Sequence, residues 1–223
     1  MLALTDGSIH TRRARISLTL HSKSASRKPG WDARNTVEER RDEILRSLAA
    51  VLRERRLASL TMRDIAERLG LVKGNLYYYF KSKQDILYHC HVKCMRASLA
   101  ALEEAERGEG VAAQRLRRLL VKHMQAITED PYAGVLLADL ESLSAAQRRR
   151  YVAMRDQFEQ GVRRLIAQGI RSGEFRSCDP RLAGFAILGA INWIPKWYRP
   201  EGKLSPAEIA ESFADQLLNS LKP

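Results

Sequence analysis

This chain of 223 residues is poor in several things at once: it has three cysteines and seven prolines, aromatic residues make up 7% of it, and 26 acidic side chains face 38 basic ones. Each shortage excludes something. An odd, small number of cysteines cannot build the paired framework of a small secreted domain, so a reducing compartment is expected. No stretch of about 18 apolar residues is present, the length that a membrane-spanning helix needs. The first 35 residues also lack the apolar core of roughly 7 to 15 residues that a secretion signal requires. The expectation is a soluble protein of the cytoplasm with no membrane partner. Also missing are a Gly-rich phosphate loop, a Ser-His-Asp arrangement and metal-ligand spacing. The neighbouring carboxylates Glu103-Glu104 and Asp139 with Glu141 read as helix-surface charges, so neither an enzyme nor a resident cofactor is expected.

What is present in excess is positive charge. The formal net charge is +12, a balance that favours polyanions such as nucleic acid or an anionic membrane surface. Residues 1–35 carry seven basic and two acidic side chains. That segment mixes Ser, Thr, Arg and Lys without a sustained period and runs through the turn signal Pro29-Gly30. It reads as a largely disordered extension, either merely solvated or a basic arm that adds phosphate contacts.

From Val37 onward the pattern is helical. Ile44, Leu48, Val51 and Leu52 repeat on one face of a helix of about 18 residues. Thr61 then stands three residues before Asp64, a variant of the capping box, and Met62, Ile65, Ala66 and Leu69 form the stripe of a short second helix that Gly70 ends. A short amphipathic helix, a tight turn and a second short helix are the layout of a helix-turn-helix, whose second helix enters the DNA major groove. The second helix here is LVKGNLYYYF, residues 71–80. Leu76 and Phe80 are one turn apart and point to the core, with Tyr78 a further candidate for it. Lys73, Asn75, Tyr77 and Tyr79 are left to face outward. Outward tyrosines offer rings to thymine methyls or sugars and hydroxyls to phosphate oxygens, and Asn75 suits an adenine edge. Gly74 lets a partner backbone approach closely.

The run TMRDIAERLGLVKGNLYYYFKSKQDIL, Thr61 to Leu87, resembles the DNA-binding domain of TetR-type transcriptional regulators, whose recognition segment reads close to V-S-x-G-x-L-Y-x-Y/H-F followed by S-K-x-x-L. The resemblance covers roughly residues 37–90 and implies that Thr61 and Lys83 contact phosphates. Arg63, on the helix that Thr61 opens, joins them. Tyr77 and Tyr79 fall at or near the DNA backbone, and Lys73, Gly74 and Asn75 at or beside base edges. The chain departs from the family at Val72, where Ser or Thr is common, which removes a hydroxyl that would cap the recognition helix.

Beyond Phe80, Ser82 with Asp85 caps a long fourth helix with an apolar stripe at Ile86, Cys90, Cys94, Ala97 and Ala101. His89 and His91 point to other faces, which separates them from the cysteines and disfavours a metal cluster. Leu116, Leu119, Leu120, His123, Met124 and Ile127 mark a fifth helix, and Tyr132–Leu140 a short sixth. Tyr151, Met154, Phe158, Val162, Leu165 and Gly169 mark a long seventh. Asp179-Pro180 opens an eighth that is apolar on nearly every side from Leu182 to Ile194, which calls for a partner subunit. Ser205-Pro206 opens the last, with Ile209, Phe213, Leu217 and Leu221 on one face.

The expected fold is therefore all-α: an extension over residues 1–35, a three-helix DNA-binding domain over 36–84, and a larger helical ligand-binding and dimerisation domain over 85–223. The candidate pocket residues are His123, Tyr132, Met154, Phe158, Phe185, Asn192, Trp193 and Trp197. The segment INWIPKWYRPEGKLSPAEIAESF is similar to the C-terminal part of TetR-type members that control fatty-acid or other acyl-CoA catabolism. That similarity implies an acyl-CoA thioester as effector, its phosphates near basic groups such as Arg148, Arg149, Arg171, Lys196 or Arg199; a hydrophobic drug-like or aromatic effector is the alternative. As a regulator the protein would bind a palindromic double-stranded operator as a homodimer. A non-specific DNA-packaging protein that uses the basic extension is the reading from another class.

Overall fold

The computed structural model describes residues 36–54, 57–128, 140–199 and 202–223. The basic extension, Tyr132 and most of the short helix expected over 132–140 lie outside the described residues. Among the described residues the fold is all-helical, with eight α-helices and no strand.

The N-terminal helices form where the sequence caps them. α1 (Val37–Glu54) begins where the Thr36 hydroxyl accepts from the Glu39 backbone N–H at 3.2 Å and the Glu39 carboxylate accepts from the Thr36 N–H. α2 (Met62–Arg68) starts at a full capping box between Thr61 and Asp64. It ends at Gly70, whose φ of +62° is the left-handed turn that an L side chain resists. α3 (Lys73–Tyr79) follows at once, and its N-cap Val72 makes no side-chain cap, as its apolar side chain dictates. Ile44, Leu45, Leu48, Met62, Ile65, Leu76 and Phe80 close one hydrophobic cluster between these helices. Arg41 Nε donates to the Tyr79 carbonyl at 3.0 Å and ties the end of α3 to α1.

α4 (Lys83–Arg107) is 25 residues long and capped by Ser82, whose hydroxyl accepts from the Asp85 N–H. Its stripe follows the expected line through Ile86, Cys90, Cys94 and Ala101, with two corrections. Ala97 is exposed and Ser98 occupies the buried position beside it; His91, expected on another face, is 2% exposed. The burial of His91 and Ser98 has one cause: α4 is covered from two sides, by α5 (Ala112–Thr128) and α6 (Ala145–Arg171), so its buried arc is wider than a single stripe. The approach of α6 is close. A Cβ at Gly161 would lie 2.3 Å from Leu102, so only glycine fits there.

α7 (Pro180–Trp197) starts at Asp179, whose side chain accepts from the Arg181 and Leu182 N–H groups. α8 (Pro206–Asn219) starts at a Ser205–Glu208 capping box. Leu116, Leu119, Leu120, Met124, Phe158, Val162, Ile187, Ile191 and Ile209 are buried in the second cluster that α4 to α8 share. On α7 only Ile187, Ile191, Ile194 and Gly184 are buried, while Leu182 (64%), Phe185 (48%), Trp193 (62%) and Trp197 (41%) stand exposed. The Arg117 guanidinium joins α5 to α8 through Glu211 at 2.6 Å and Asp215 at 2.7 Å. Glu174 caps α5 from a distance by accepting from the Ala112 and Ala113 N–H groups.

Leu76 and Phe80 are both fully buried, so truncation to Ala is expected to cost about 2–5 kcal/mol for each. Denaturant unfolding of Leu76→Ala and Phe80→Ala measures this, and equal stability to wild type would show that α3 is not anchored by them.

Candidate DNA-reading surface and effector cavity

The exposed face of α3 is built from few residues. Lys73 and Gly74 are exposed, Tyr77 is 42% exposed and Tyr78 69%, and Asn75 is half-buried. The Lys73 ammonium sits over the Tyr77 ring, 5.7 Å from its centroid, which holds a cation against the aromatic face. The expectation for Tyr79 is corrected: it is half-buried and packs on the N-terminal core, with its ring edge-on to Tyr78 at 4.9 Å. Tyr78, expected to help the core, is the outermost ring. The reason is helical phase, since Leu76 and Phe80 fix the inner line and Tyr79, one residue from Phe80, falls beside it, whereas Tyr78 lies opposite.

A Cβ added at Gly74 would meet nothing within 4 Å. Among the described residues nothing thus requires glycine there. Thr61 is an exposed N-cap engaged with Asp64. Arg63 is exposed and paired with Glu67 at 2.8 Å, a surface pair worth little to stability. Lys83 is half-buried in the first turn of α4.

A cavity of about 370 Å³ lies among α4, α5, α6 and α7. Of the candidate residues, His123, Phe158, Phe185 and Asn192 line it. Met154 is packed against the core, and Trp193 and Trp197 point to the exposed side of α7, so these three are not lining residues. Sequence periodicity missed Met95, Leu188 and Val152 on the walls and Arg155, Asp156 and Glu159 along α6. None of the five basic residues named for phosphate binding lines the cavity; Arg155 does, and among the described residues it has no ion pair. Glu159 is already engaged by Arg163 at 2.6 Å.

Two imidazoles are buried in this body. His123 is 3% exposed, with Nδ1 2.8 Å from Ser98 Oγ and its ring 4.5 Å from that of Phe158. His91 lies 5.0 Å from the Tyr151 ring, and among the described residues neither of its nitrogens has a hydrogen-bond partner. Burial pushes both down to about 4, with the Arg155 charge adding to the effect at His91.

A capped helix-turn-helix, carried by one long helix into a helical body with its own cavity, defines the class of helix-turn-helix regulatory proteins. Residues 44–90 match the N-terminal domain of the tetR family of bacterial regulatory proteins and residues 109–221 match the Tetracyclin repressor-like C-terminal domain, so the chain belongs to the tetR family. The HTH-type transcriptional repressor KstR2 of Mycobacterium tuberculosis strain H37Rv is 27% identical over 190 residues, 83% of this chain and 94% of its own. The TetR-family regulator PfmR of Thermus thermophilus superposes with a TM-score of 0.74 at 33% identity, covering 82% of this chain and 100% of PfmR. AibR, solved in complex with isovaleryl coenzyme A and operator DNA, has the same fold, with a TM-score of 0.66 at 23% identity over 83% of this chain and 99% of its own.

The two imidazoles make stability depend on pH. Their folded values near 4 lie below the unfolded value of about 6.5. The unfolded chain therefore binds more protons between these limits, so stability is full above about pH 6.5 and falls as pH drops toward 4. Thermal unfolding at pH 7.5 and pH 5 should show a lower midpoint at pH 5. His91→Phe, which keeps the ring against Tyr151, should shrink that difference. An unchanged difference would show that His91 carries none of it.

Proposed function

We propose that this chain is a transcriptional repressor that binds a palindromic operator as a homodimer and is released by an acyl-CoA thioester. The observation that carries the DNA-binding half is the outer face of α3, where two exposed tyrosines and Lys73 surround Gly74, a position that nothing in the protomer requires to be empty. Room for a side chain that is left unused suits the close approach of a DNA backbone. Thr61 at the N-terminus of α2 and Lys83 in the first turn of α4 are placed as phosphate contacts in this reading. Tyr77 and Tyr78 are the sugar-phosphate and thymine-methyl contacts, and Lys73 with Asn75 meets base edges. The exposed row Leu182, Phe185, Trp193 and Trp197 of α7 is a continuous apolar face of the kind that a second copy covers. That pairing would set two recognition helices about 34 Å apart, one helical turn of DNA.

The acyl-CoA half rests on the cavity. Its size lies near the lower end of small-molecule pockets, about 300–1,000 Å³, so it would enclose the acyl chain and leave the nucleotide outside. Phe158, Phe185, Leu188 and Met95 supply apolar walls, and Arg155, which has no ion pair among the described residues, supplies a cation for the phosphates. AibR, whose complex holds isovaleryl coenzyme A together with operator DNA, supports the same chemistry here. Release then follows from linkage: a thioester that binds better to the state with misplaced recognition helices shifts the dimer to that state through α4, which runs from the cavity wall at Met95 to the α3 core at Ile86.

The test is binding of the purified protein to its own promoter DNA at fixed salt, with a panel of acyl-CoA thioesters and free acids. Release by a subset of the thioesters is expected; specific binding that no thioester disturbs would remove the acyl-CoA assignment and leave the regulator. Gly74→Ala should leave stability unchanged or raise it by up to about 1 kcal/mol while weakening operator binding. Tyr77→Ala should weaken it by about tenfold or more, corresponding to a lost contact of about 1–3 kcal/mol. Removal of residues 1–35 should lower affinity without abolishing sequence preference; the DNA-packaging reading predicts the reverse pattern.

A further inference from the structure

The cavity has a buried end and an open end. His123 is 3% exposed, whereas Arg155, Asp156 and Asn192 are exposed. Between them the apolar walls are Met95, Phe158, Phe185 and Leu188, none of which can donate a hydrogen bond, and the Glu159 carboxylate beside them is taken up by Arg163. The polarity of the buried end is therefore decided by one imidazole.

Its hydrogen-bonding sense follows from its neighbours. Ser98 Oγ lies 3.1 Å from the Cys94 carbonyl oxygen, which can only accept, so both contacts of the hydroxyl are hydrogen bonds only when its single proton points there. The 2.8 Å contact between Ser98 Oγ and His123 Nδ1 is then filled from the other side, with the Nδ1–H donating to the hydroxyl oxygen. A neutral imidazole has one N–H, so Nε2 carries a lone pair. Burial, which holds the ring neutral, keeps it in this form. No described residue donates to Nε2.

We propose that the buried end of the cavity selects an effector bearing a hydrogen-bond donor, a hydroxyl group above all, with His123 Nε2 as the acceptor that determines specificity and Ser98 as the residue that sets the tautomer. This rests on the reading of the cavity as the effector site. A plain alkyl end would cover the lone pair with hydrocarbon and leave a buried acceptor unpaired. A keto end would set lone pair against lone pair unless the ring took its other tautomer, and that would cost the Ser98 to Cys94 bond. An acyl thioester hydroxylated at the far end of its chain is thus preferred over its saturated and keto counterparts by about tenfold, the size of one unpaired buried acceptor.

The experiment titrates the full-length protein with two matched pairs, 8-hydroxyoctanoyl-CoA against octanoyl-CoA and phenol against toluene, and records the ring ¹⁵N shifts of His123. An Nδ1–H tautomer is expected, with both hydroxylated members binding about tenfold tighter than their partners. His123→Phe should bind the two members of each pair equally. Ser98→Ala, which keeps the ring and frees its tautomer, should narrow the preference; it guards against a folding defect in the first variant. Preference for phenol with no binding of either thioester would support the His123 assignment and retire the acyl-CoA reading. An Nε2–H tautomer, tighter or equal binding of the unhydroxylated members, no binding of any of the four, or the wild-type preference retained in both variants would overturn the inference.

Discussion

The structure depends on one constraint: α4 is a single uninterrupted helix that must be buried in two hydrophobic clusters. Its first turns place Ile86, Leu87, Cys90 and Cys94 in the N-terminal cluster with Leu76 and Phe80, and from Met95 onward it belongs to the cluster of the larger body. A helix of this length transmits displacement because its backbone hydrogen bonds must all be kept. Polar contacts repeat the connection. Arg96 reaches Glu38 on α1 at 2.6 Å, and Gln147 at the start of α6 donates to Asp85 at 2.9 Å. The start of α6 is thus fastened to the start of α4, and the cavity wall formed by α6 is fastened with it.

This arrangement explains why polar groups are buried where they are. Ser98 and His123 satisfy each other between α4 and α5, so their burial costs little. His91 has no such partner and sits between α4 and the Tyr151 region of α6, where an orphaned buried imidazole costs roughly 1–3 kcal/mol. A shift of α4 against α6 would break no hydrogen bond at His91 itself, unlike at Asp85, where Gln147 holds it.

Much of the N-terminal domain was legible because its signals are local. The Thr61–Asp64 cap, the turn at Gly70, the missing cap at Val72 and the inner pair Leu76 and Phe80 each depend on residues within one or two turns. The long helices were legible for the same reason, as their apolar periods span many turns. The phase of Tyr78 and Tyr79 was misread, since both flank the inner line and a small rotation of the helix decides little in sequence but much in packing. The cavity was less legible. Phe158 and Phe185 belong to sequence patterns that describe core as well as pocket, and the Arg155, Asp156 and Glu159 wall looks like an ordinary solvated face until α7 is laid across it.

By itself the sequence determined the helical class, the caps, the order of the elements and the helix-turn-helix with its outward Lys73 and Tyr77, because hydrogen bonds and periodicity act over a few residues. Only the tertiary structure decided that Trp193 and Trp197 face away from the cavity, that Glu174 caps α5 across 61 and 62 residues of sequence, and that Ser98 meets His123 across 2.8 Å. Those outcomes depend on which helix lies against which, and the burial of large side chains such as Leu120, Met124 and Ile191 chooses that arrangement for the whole body at once.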